Sequence, residues 1–258
     1  MAARHLLAAL RVCDALLPER VPRKLRRSVA SRLHEFRRLR DVQVMLARIA
    51  PLMDQAPVWA RFHGRLAAEQ ARARSALRTH LRKAEVEGER LRLHDLQRLL
   101  MARARSAPAD SLLATLHAMA SDAQQRTARR LGRMNPAKPG TLHRTRLAIK
   151  RARYILELIA EVESAPWAKA AHRAARAWQD QLGTIQDLRV LDLELAALRS
   201  KDPADVAAVM WFRADLVTER NDAIVRFVAQ RAELEAFVRQ LAPAAHSQAP
   251  ADPSAETA

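Results

Sequence analysis

Four nitrogen-bearing side chains follow one another along the segment LHRTRLAIKRARYILELI, residues 142–159. His143, Arg146, Lys150 and Arg153 would lie within an arc of about 80° on a helix. Neighbours at this spacing are about 5–6 Å apart, so the helix would present a nitrogen donor at every turn. Arginine binds phosphate oxygens through two N–H groups, lysine adds a point charge, and histidine donates more strongly once protonated. The pattern therefore favours binding of a linear chain of phosphates.

The surroundings of these four residues are mostly aliphatic, and Glu157 ends the basic line with a negative charge. A solvated helix face usually mixes both signs of charge, so a basic line between apolar residues favours a cleft between packed helices. Arg144 and Arg151 lie on another side of the helix, where we expect them to be solvated. The alternative is a surface stripe without a ligand, and this segment alone does not decide between the two.

The composition of the whole chain indicates an all-α protein with an anionic partner. Its 258 residues include only five glycines, and Ala, Leu and Arg, which are strong helix formers, dominate. The net charge of +17 implies self-repulsion unless an anion is bound. Nucleic acid, an anionic membrane surface and a small or polymeric phosphate are the candidate partners. Biased genomic base composition is an alternative explanation of the arginine content.

Prolines divide the chain into candidate helices, because proline is poorly tolerated inside a helix. The intervals predict helices at about 3–17, 22–50, 57–105, 110–134, 141–164, 166–200 and 203–241. We expect Gly88 to split the third interval, which makes eight helical pieces, and Gly183 to interrupt the sixth as a kink that is not counted separately. Residues 242–258 are rich in Pro, Ala and Ser and are predicted to be disordered.

The cysteine content and the hydropathy favour a cytoplasmic protein. Cys13 is the only cysteine, which excludes an intrachain disulfide and a cysteine-based zinc site. No run of 18 apolar residues could span a membrane. Charged residues interrupt the apolar beginning of the chain, which therefore does not resemble a signal peptide.

The two halves of the chain resemble each other at a constant offset of 146 residues, with RDVQVML at 40–46 aligned on QDLRVLD at 186–192. We interpret this as a duplicated helical unit, which predicts two pseudo-symmetric four-helix bundles in a single domain of residues 1–241. The first half would cover about 1–108 and the second about 109–241. His143 and Arg146 would correspond to positions before Met1, so either translation starts further upstream or the first copy has lost this turn.

Other positions are basic in both copies and are predicted to add cations near the first set. The pairs are Arg4/Lys150, Arg23/Lys169, Arg26/His172 and Arg27/Arg173. Asp41 and Asp187 also correspond, and we expect each to cap a helix after a break.

Sequence motifs of phosphate and metal chemistry are absent. The chain contains no GxxxxGK[ST], GxGxxG or HExxH motif, and no Glu-x-x-His pair of the di-iron type. Glu85, Glu87 and Glu89 resemble the acidic signature of triphosphate tunnel hydrolases, but they lie between predicted helices instead of on a strand, and we reject that interpretation. The other carboxylates are scattered. We therefore expect no metal site, no cofactor and no catalysis.

The segments 142–159, WQDQLGTIQDLRVLDL at 178–193 and LRRSVASRLHEFRRLRDVQVML at 25–46 resemble the CHAD family, the conserved-histidine α-helical domains. The resemblance covers about residues 4–240. It implies two pseudo-symmetric helical bundles that enclose a basic cleft for inorganic polyphosphate. It also implies that His143, Arg146, Lys150 and Arg153 match the basic motif, with Arg4 as the first-half counterpart. Leu7 departs from the family's pattern, because a basic residue is expected there.

The resulting prediction is an electrostatic polyphosphate-binding module without enzymatic activity. The predicted binding residues are His143, Arg146, Lys150, Arg153, Arg4, Lys169, Arg173, Arg23 and Arg27. A nucleic-acid binder is the first alternative, although the chain has few aromatic residues on which bases could stack. An enzyme acting on polyphosphate through His143, and a scaffold that docks on polyphosphate granules or an anionic membrane, are the others.

Overall fold

The fold of the described residues is all-α, as the composition predicts. The computed structural model describes residues 2–17, 20–83, 86–106 and 111–241, and these residues contain no β-strand. The helices are α1 Ala2–Leu16, α2 Val21–Ile49, α3 Pro57–Lys83, α4 Val86–Ser106, α5 Ser111–Gly132, α6 Pro139–Val162, α7 Pro166–Ala196, α8 Pro203–Ala229 and α9 Arg231–Arg239. A short 3-10 helix, Ala50–Leu52, follows α2.

Proline starts several of these helices, because its fixed φ suits the first helical turn and its missing N–H is not needed there. Pro139, Pro166 and Pro203 each follow a residue in extended conformation. At α8 the side chain of Asp202 also accepts a hydrogen bond from the backbone N–H of Ala204, at 2.9 Å. The turn between α6 and α7 is only three residues long, so these two helices form an antiparallel hairpin.

Helices that correspond at the offset of 146 residues have closely matching bounds. Shifting α3 by 146 residues gives 203–229, which are the bounds of α8, and shifting α2 gives 167–195, within one residue of α7 at each end. Corresponding helices also contact each other: α1 contacts α6, α2 contacts α7, and α3 contacts α8. Two copies of a unit related by a two-fold axis produce this pattern of contacts.

One hydrophobic cluster lies where these corresponding helices meet. Its buried members include four pairs of residues that are 146 positions apart: Val42 and Leu188, Met45 and Leu191, Ile49 and Leu195, and Leu66 and Phe212. Trp59 and Phe212 extend the cluster with an edge-to-face ring contact, at 5.2 Å between centroids. The cluster therefore joins the first part of the chain to the last.

The structure corrects several expectations about helix ends. Helix α7 runs through Gly183 without interruption, and Gly88 lies inside α4 instead of between helices. The interval 203–241 contains two helices, because Gln230 leaves the helical conformation between α8 and α9. The described part of the chain therefore has nine α-helices where eight pieces were predicted. Residues 242–258, predicted to be disordered, lie outside the described residues.

Asp41 and Asp187 do not cap helices, which makes that prediction wrong. Asp41 lies inside α2 and Asp187 inside α7, where no free N–H groups are available to a cap. Arg40 lies between the two carboxylates, 3.0 Å from Asp187 and 3.9 Å from Asp41. Burial, together with the charge of Asp187, raises the pKa of Asp41 above its ordinary value, against the opposing effect of Arg40.

Candidate functional site

The four basic residues of α6 follow one face of the helix, and described contacts join three of them to α7. We call His143, Arg146, Lys150 and Arg153 the α6 basic file. His143 hydrogen-bonds Gln186, Arg146 lies against Gly183, and Arg153 hydrogen-bonds Gln179. Successive residues of the file contact residues with decreasing numbers on α7, as expected for two antiparallel helices. The file therefore lies along the line where α6 and α7 pack.

His143 is half-buried at the beginning of the file. Burial lowers the pKa of its imidazole, and the positive charges of Arg146, Arg37 and Arg189 lower it further, while the hydrogen bond with Gln186 opposes the shift. The imidazole is consequently neutral at pH 7. Arg37 comes from α2 and Arg189 from α7, so cations from three helices act on this one side chain.

A cavity of about 130 Å³ opens beside His143, between α6, α7 and α8. Arg189 and Arg220 contribute basic side chains to its wall, and Leu182, Ile185 and Ile224 contribute apolar ones. The Nδ1 atom of His143 is buried and has no hydrogen-bond partner among the described residues. A small anionic group would meet three nitrogen-bearing side chains in this cavity.

Arg146 lies close to the backbone of α7. A methyl group at Gly183 would be 3.7 Å from Nη2 of Arg146, which is an ordinary van der Waals contact. The glycine thus leaves space beside the guanidinium, but an alanine at this position would also fit. Lys150, one turn further along α6, is half-buried like Arg146.

Arg153 is the most deeply buried member of the file, with 4% of its surface exposed. Its Nε donates to Oε1 of Gln179 at 3.2 Å, and its guanidinium lies 4.4 Å from the centroid of the Tyr154 ring. Nη1 is 3.5 Å from Nε2 of His172. Burial lowers the pKa of His172, so this neighbour is neutral at pH 7. The groups that directly contact this buried cation are therefore uncharged.

The file ends at Glu157, one turn beyond Arg153. Its Oε1 atom lies 3.8 Å from Nε2 of His172 on α7 and 3.3 Å from Nε2 of His5 on α1. The carboxylate stands between two histidines that reach it from different helices. Among the described ion pairs, Glu157 is paired with these two histidines and not with Arg153.

The other predicted binding residues are not brought to the file by the described contacts. Arg23 and Arg27 are exposed on α2, and Lys169 and Arg173 are exposed on α7. The side chain of Arg4 lies outside the described residues, although its backbone belongs to α1.

Sequence reasoning missed several residues that the fold brings to the file. Arg37, Gln179, Gln186 and Arg189 all act on file members, and none was predicted. A signal for α7 was present: His172, Gln179 and Gln186 recur every seven residues and thus share one face of the helix. No comparable signal singled out Arg37 among the many arginines of α2.

The described part of the chain contains neither a membrane-spanning helix nor a group of metal-ligating side chains. None of its helices is both long and apolar enough to cross a bilayer. Within the same residues, no group of three or more His, Cys, Asp or Glu side chains is arranged to hold a metal ion.

Comparisons with known proteins agree with the helical architecture. A protein-family model described as CHAD domain matches residues 1–196. The crystal structure of the CHAD domain from the plant Ricinus communis is similar, with a TM-score of 0.63 and 24% sequence identity over 93% of this chain and 78% of that chain. At this identity the structural likeness shows the fold alone. No curated protein matches the chain.

Proposed function

Because this chain belongs to the CHAD domain family, whose model matches residues 1–196, we propose that it binds inorganic polyphosphate along the α6 basic file. Binding is electrostatic and involves no catalysis. The chain neutralises phosphates with Arg and Lys side chains, and the condensed counterions of the polymer are released. We also propose that the protein resides in the cytoplasm.

The observation that carries this proposal is the buried charge of Arg153. An ion removed from water without a charged partner costs several kcal/mol by general estimates. The direct contacts of Arg153 are an amide, a neutral imidazole and an aromatic ring, and none of them neutralises it. A phosphate chain along the file would supply negative charge to this cation in addition to that of Glu157, one turn further along α6.

The geometry of the remaining file supports a linear ligand. Arg146 and Lys150 are half-buried members between Arg153 and His143, so donors succeed one another along three turns of α6. The cavity beside His143 would receive one phosphate, with Arg189 and Arg220 at its wall. We propose that the two pseudo-symmetric halves form the sides of this basic cleft, an arrangement that the contacts between corresponding helices support.

Fluorescence anisotropy with labelled long-chain polyphosphate at several salt concentrations tests the proposal. The affinity should fall steeply as the salt concentration rises. Each released counterion steepens the slope of the logarithm of the binding constant plotted against the logarithm of the salt concentration. Arg146→Ala should weaken binding about three- to tenfold and lessen the slope, because one charged contact is lost. Arg103→Ala, which removes an exposed arginine of α4, is the matched control and should bind like the wild type.

Arg153→Met separates a ligand role from a structural one. It removes the buried charge while keeping an apolar stem of similar length, so the variant should bind polyphosphate more weakly and unfold at higher urea concentration. Unchanged affinity in both Arg146→Ala and Arg153→Met would refute binding along the file.

Nucleic acid is the second candidate, favoured by the net charge of +17 and by Trp211, which is 68% exposed and could stack on a base. Competition between polyphosphate and single-stranded RNA of equal charge discriminates between the two ligands. Displacement of bound polyphosphate by RNA at equal charge would overturn our proposal. Release of phosphate from polyphosphate, with or without Mg²⁺, would instead indicate an enzyme.

A further inference from the structure

Three positions around the end of the file have counterparts 146 residues away that carry a different charge. Glu157 corresponds to Arg11, His172 to Arg26, and Arg151 to His5. In the second half, Glu157 lies within 4 Å of both histidines, as described above. We call Glu157, His5 and His172 the carboxylate cluster, and Arg11, Arg26 and Arg151 the arginine cluster.

The arginine cluster lies where α1 meets α2, α5 and α6, and all three helices contact α1. Arg11 is half-buried on α1. Arg26 reaches α1 from α2, because its Nε donates to Oδ2 of Asp14, at 2.7 Å, one turn beyond Arg11. Arg151 comes from α6, on the side that does not belong to the basic file.

The charge of the arginine cluster is incompletely neutralised. Burial lowers the pKa of Arg11, and the positive charges of Arg151, Arg26 and Arg126 lower it further, in that order. Asp14 pairs with Arg26, and Asp122 pairs with Arg126. None of the described ion pairs involves Arg11 or Arg151. Among the described ion pairs, these four guanidinium groups therefore have two carboxylate partners, Asp14 and Asp122.

We propose that Arg11, Arg26 and Arg151 form a second anion site, which binds a phosphate-type dianion in the role that the carboxylate of Glu157 has in the other half. Glu157 lies between His5 and His172, and the corresponding Arg11 has Arg151 and Arg26, the counterparts of those histidines, as its nearest electrostatic neighbours. In the second half that central group is an anion held by two histidines. In the first half it is an arginine, so the carboxylate is absent from this position and a bound anion would take its place.

Phosphate suits this site better than a carboxylate does. A guanidinium can donate two parallel hydrogen bonds to phosphate oxygens, and phosphate offers enough oxygens for several guanidinium groups. A charge of about −2 on the ligand would balance the excess of two arginines over the carboxylates. The ligand is either free orthophosphate or the terminal phosphate of a polyphosphate chain. The site is separate from the α6 basic file and does not depend on the function proposed for it.

Isothermal titration calorimetry of the full chain with orthophosphate, in a buffer free of phosphate and sulfate, tests the site. Arg11→Gln should weaken orthophosphate binding about tenfold or more, because it removes the central charged donor. Arg98→Gln is the matched control, since Arg98 is exposed on α4 and pairs only with Asp95 among the described residues.

Arg11→Glu gives a second readout that does not depend on detecting a ligand. It rebuilds the carboxylate cluster's pattern between Arg26 and Arg151, so its melting temperature without phosphate should exceed that of the wild type. Added phosphate should raise the melting temperature of the wild type but not that of this variant. A melting temperature below that of the wild type, with the phosphate effect retained, would overturn the proposal.

Pyrophosphate and long-chain polyphosphate distinguish the two sources of the anion. Binding of orthophosphate that Arg11→Gln abolishes indicates free phosphate as the ligand. Binding of pyrophosphate or polyphosphate alone, again lost in Arg11→Gln, indicates a chain terminus. If Arg11→Gln binds all three ligands like the wild type, the site does not exist. That result would leave polyphosphate binding by the file untouched.

Discussion

At the scale of single residues, the file combines donors that are held in different ways. Contacts with Gln179 and the Tyr154 ring fix the side chain of Arg153. It therefore provides a positive charge at a fixed position and cannot move to follow a ligand. His143 is held neutral by burial and by the arginines around it, and it becomes a charged donor only when a proton is added. A bound phosphate would stabilise that proton, since it opposes the cations that now disfavour it.

The lowered pKa of His143 predicts how stability depends on pH. The unfolded chain, where the histidine pKa is about 6.5, takes up the proton before the folded chain does. The free energy of unfolding should therefore fall as the pH decreases from about 7.5 through about 6.5, and His172 should contribute in the same direction. His143→Gln should flatten this dependence in urea denaturation at several pH values. An equally steep profile in the variant would show that His143 does not titrate in this way.

At the scale of secondary structure, the α6–α7 hairpin determines what the file faces. Gly183 lies in the middle of α7 beside Arg146, and it neither breaks the helix nor has positive φ. Its small size brings the α7 backbone near the guanidinium. The contact that an added methyl group would make there is an ordinary one.

Gly183→Ala should stabilise the protein, because alanine costs about 1 kcal/mol less than glycine in a helix interior. The free energy of unfolding, measured by urea denaturation, should rise by up to about that amount. Gly64→Ala in α3, where a methyl group would have no neighbour within 4 Å, is a control of the same chemistry. Destabilisation by Gly183→Ala alone would mean that the hairpin tolerates no group between Arg146 and α7.

At the scale of the whole molecule, the cluster of Val42, Met45 and Ile49 with their counterparts on α7 holds the two halves together. Ile49 is fully buried and Leu195 is 1% exposed, and the two residues are 146 positions apart. Substitutions at these two corresponding positions should therefore lower the free energy of unfolding by similar amounts.

Ile49→Ala and Leu195→Ala should each destabilise the protein by about 2–5 kcal/mol, the usual cost of emptying a buried aliphatic site. Both should lower the stability of the entire chain in one cooperative transition, since the cluster belongs to both halves. Chemical denaturation followed by circular dichroism and by tryptophan fluorescence tests this. Separate transitions from the two probes would contradict a shared core.

The amino-acid sequence by itself determined the helical class, the starts of α7 and α8 at proline, the 146-residue repeat and the order of the four file members along α6. The repeat is found by aligning the chain with itself, and the other features depend on local backbone preference and on a helical period of about 3.6 residues, which neighbouring residues reveal. The prediction that Gly183 interrupts α7 was wrong, because a packed helix tolerates the low helix propensity of a single glycine.

Only the tertiary structure decided which groups surround the file. Arg37 acts on His143 from α2, more than 100 residues away in the chain, and His5 reaches Glu157 from α1. Asp41 and Asp187 lie on either side of Arg40 instead of capping helices. Such encounters depend on the register and crossing of packed helices, which are set by long-range burial of apolar side chains and not by any local pattern.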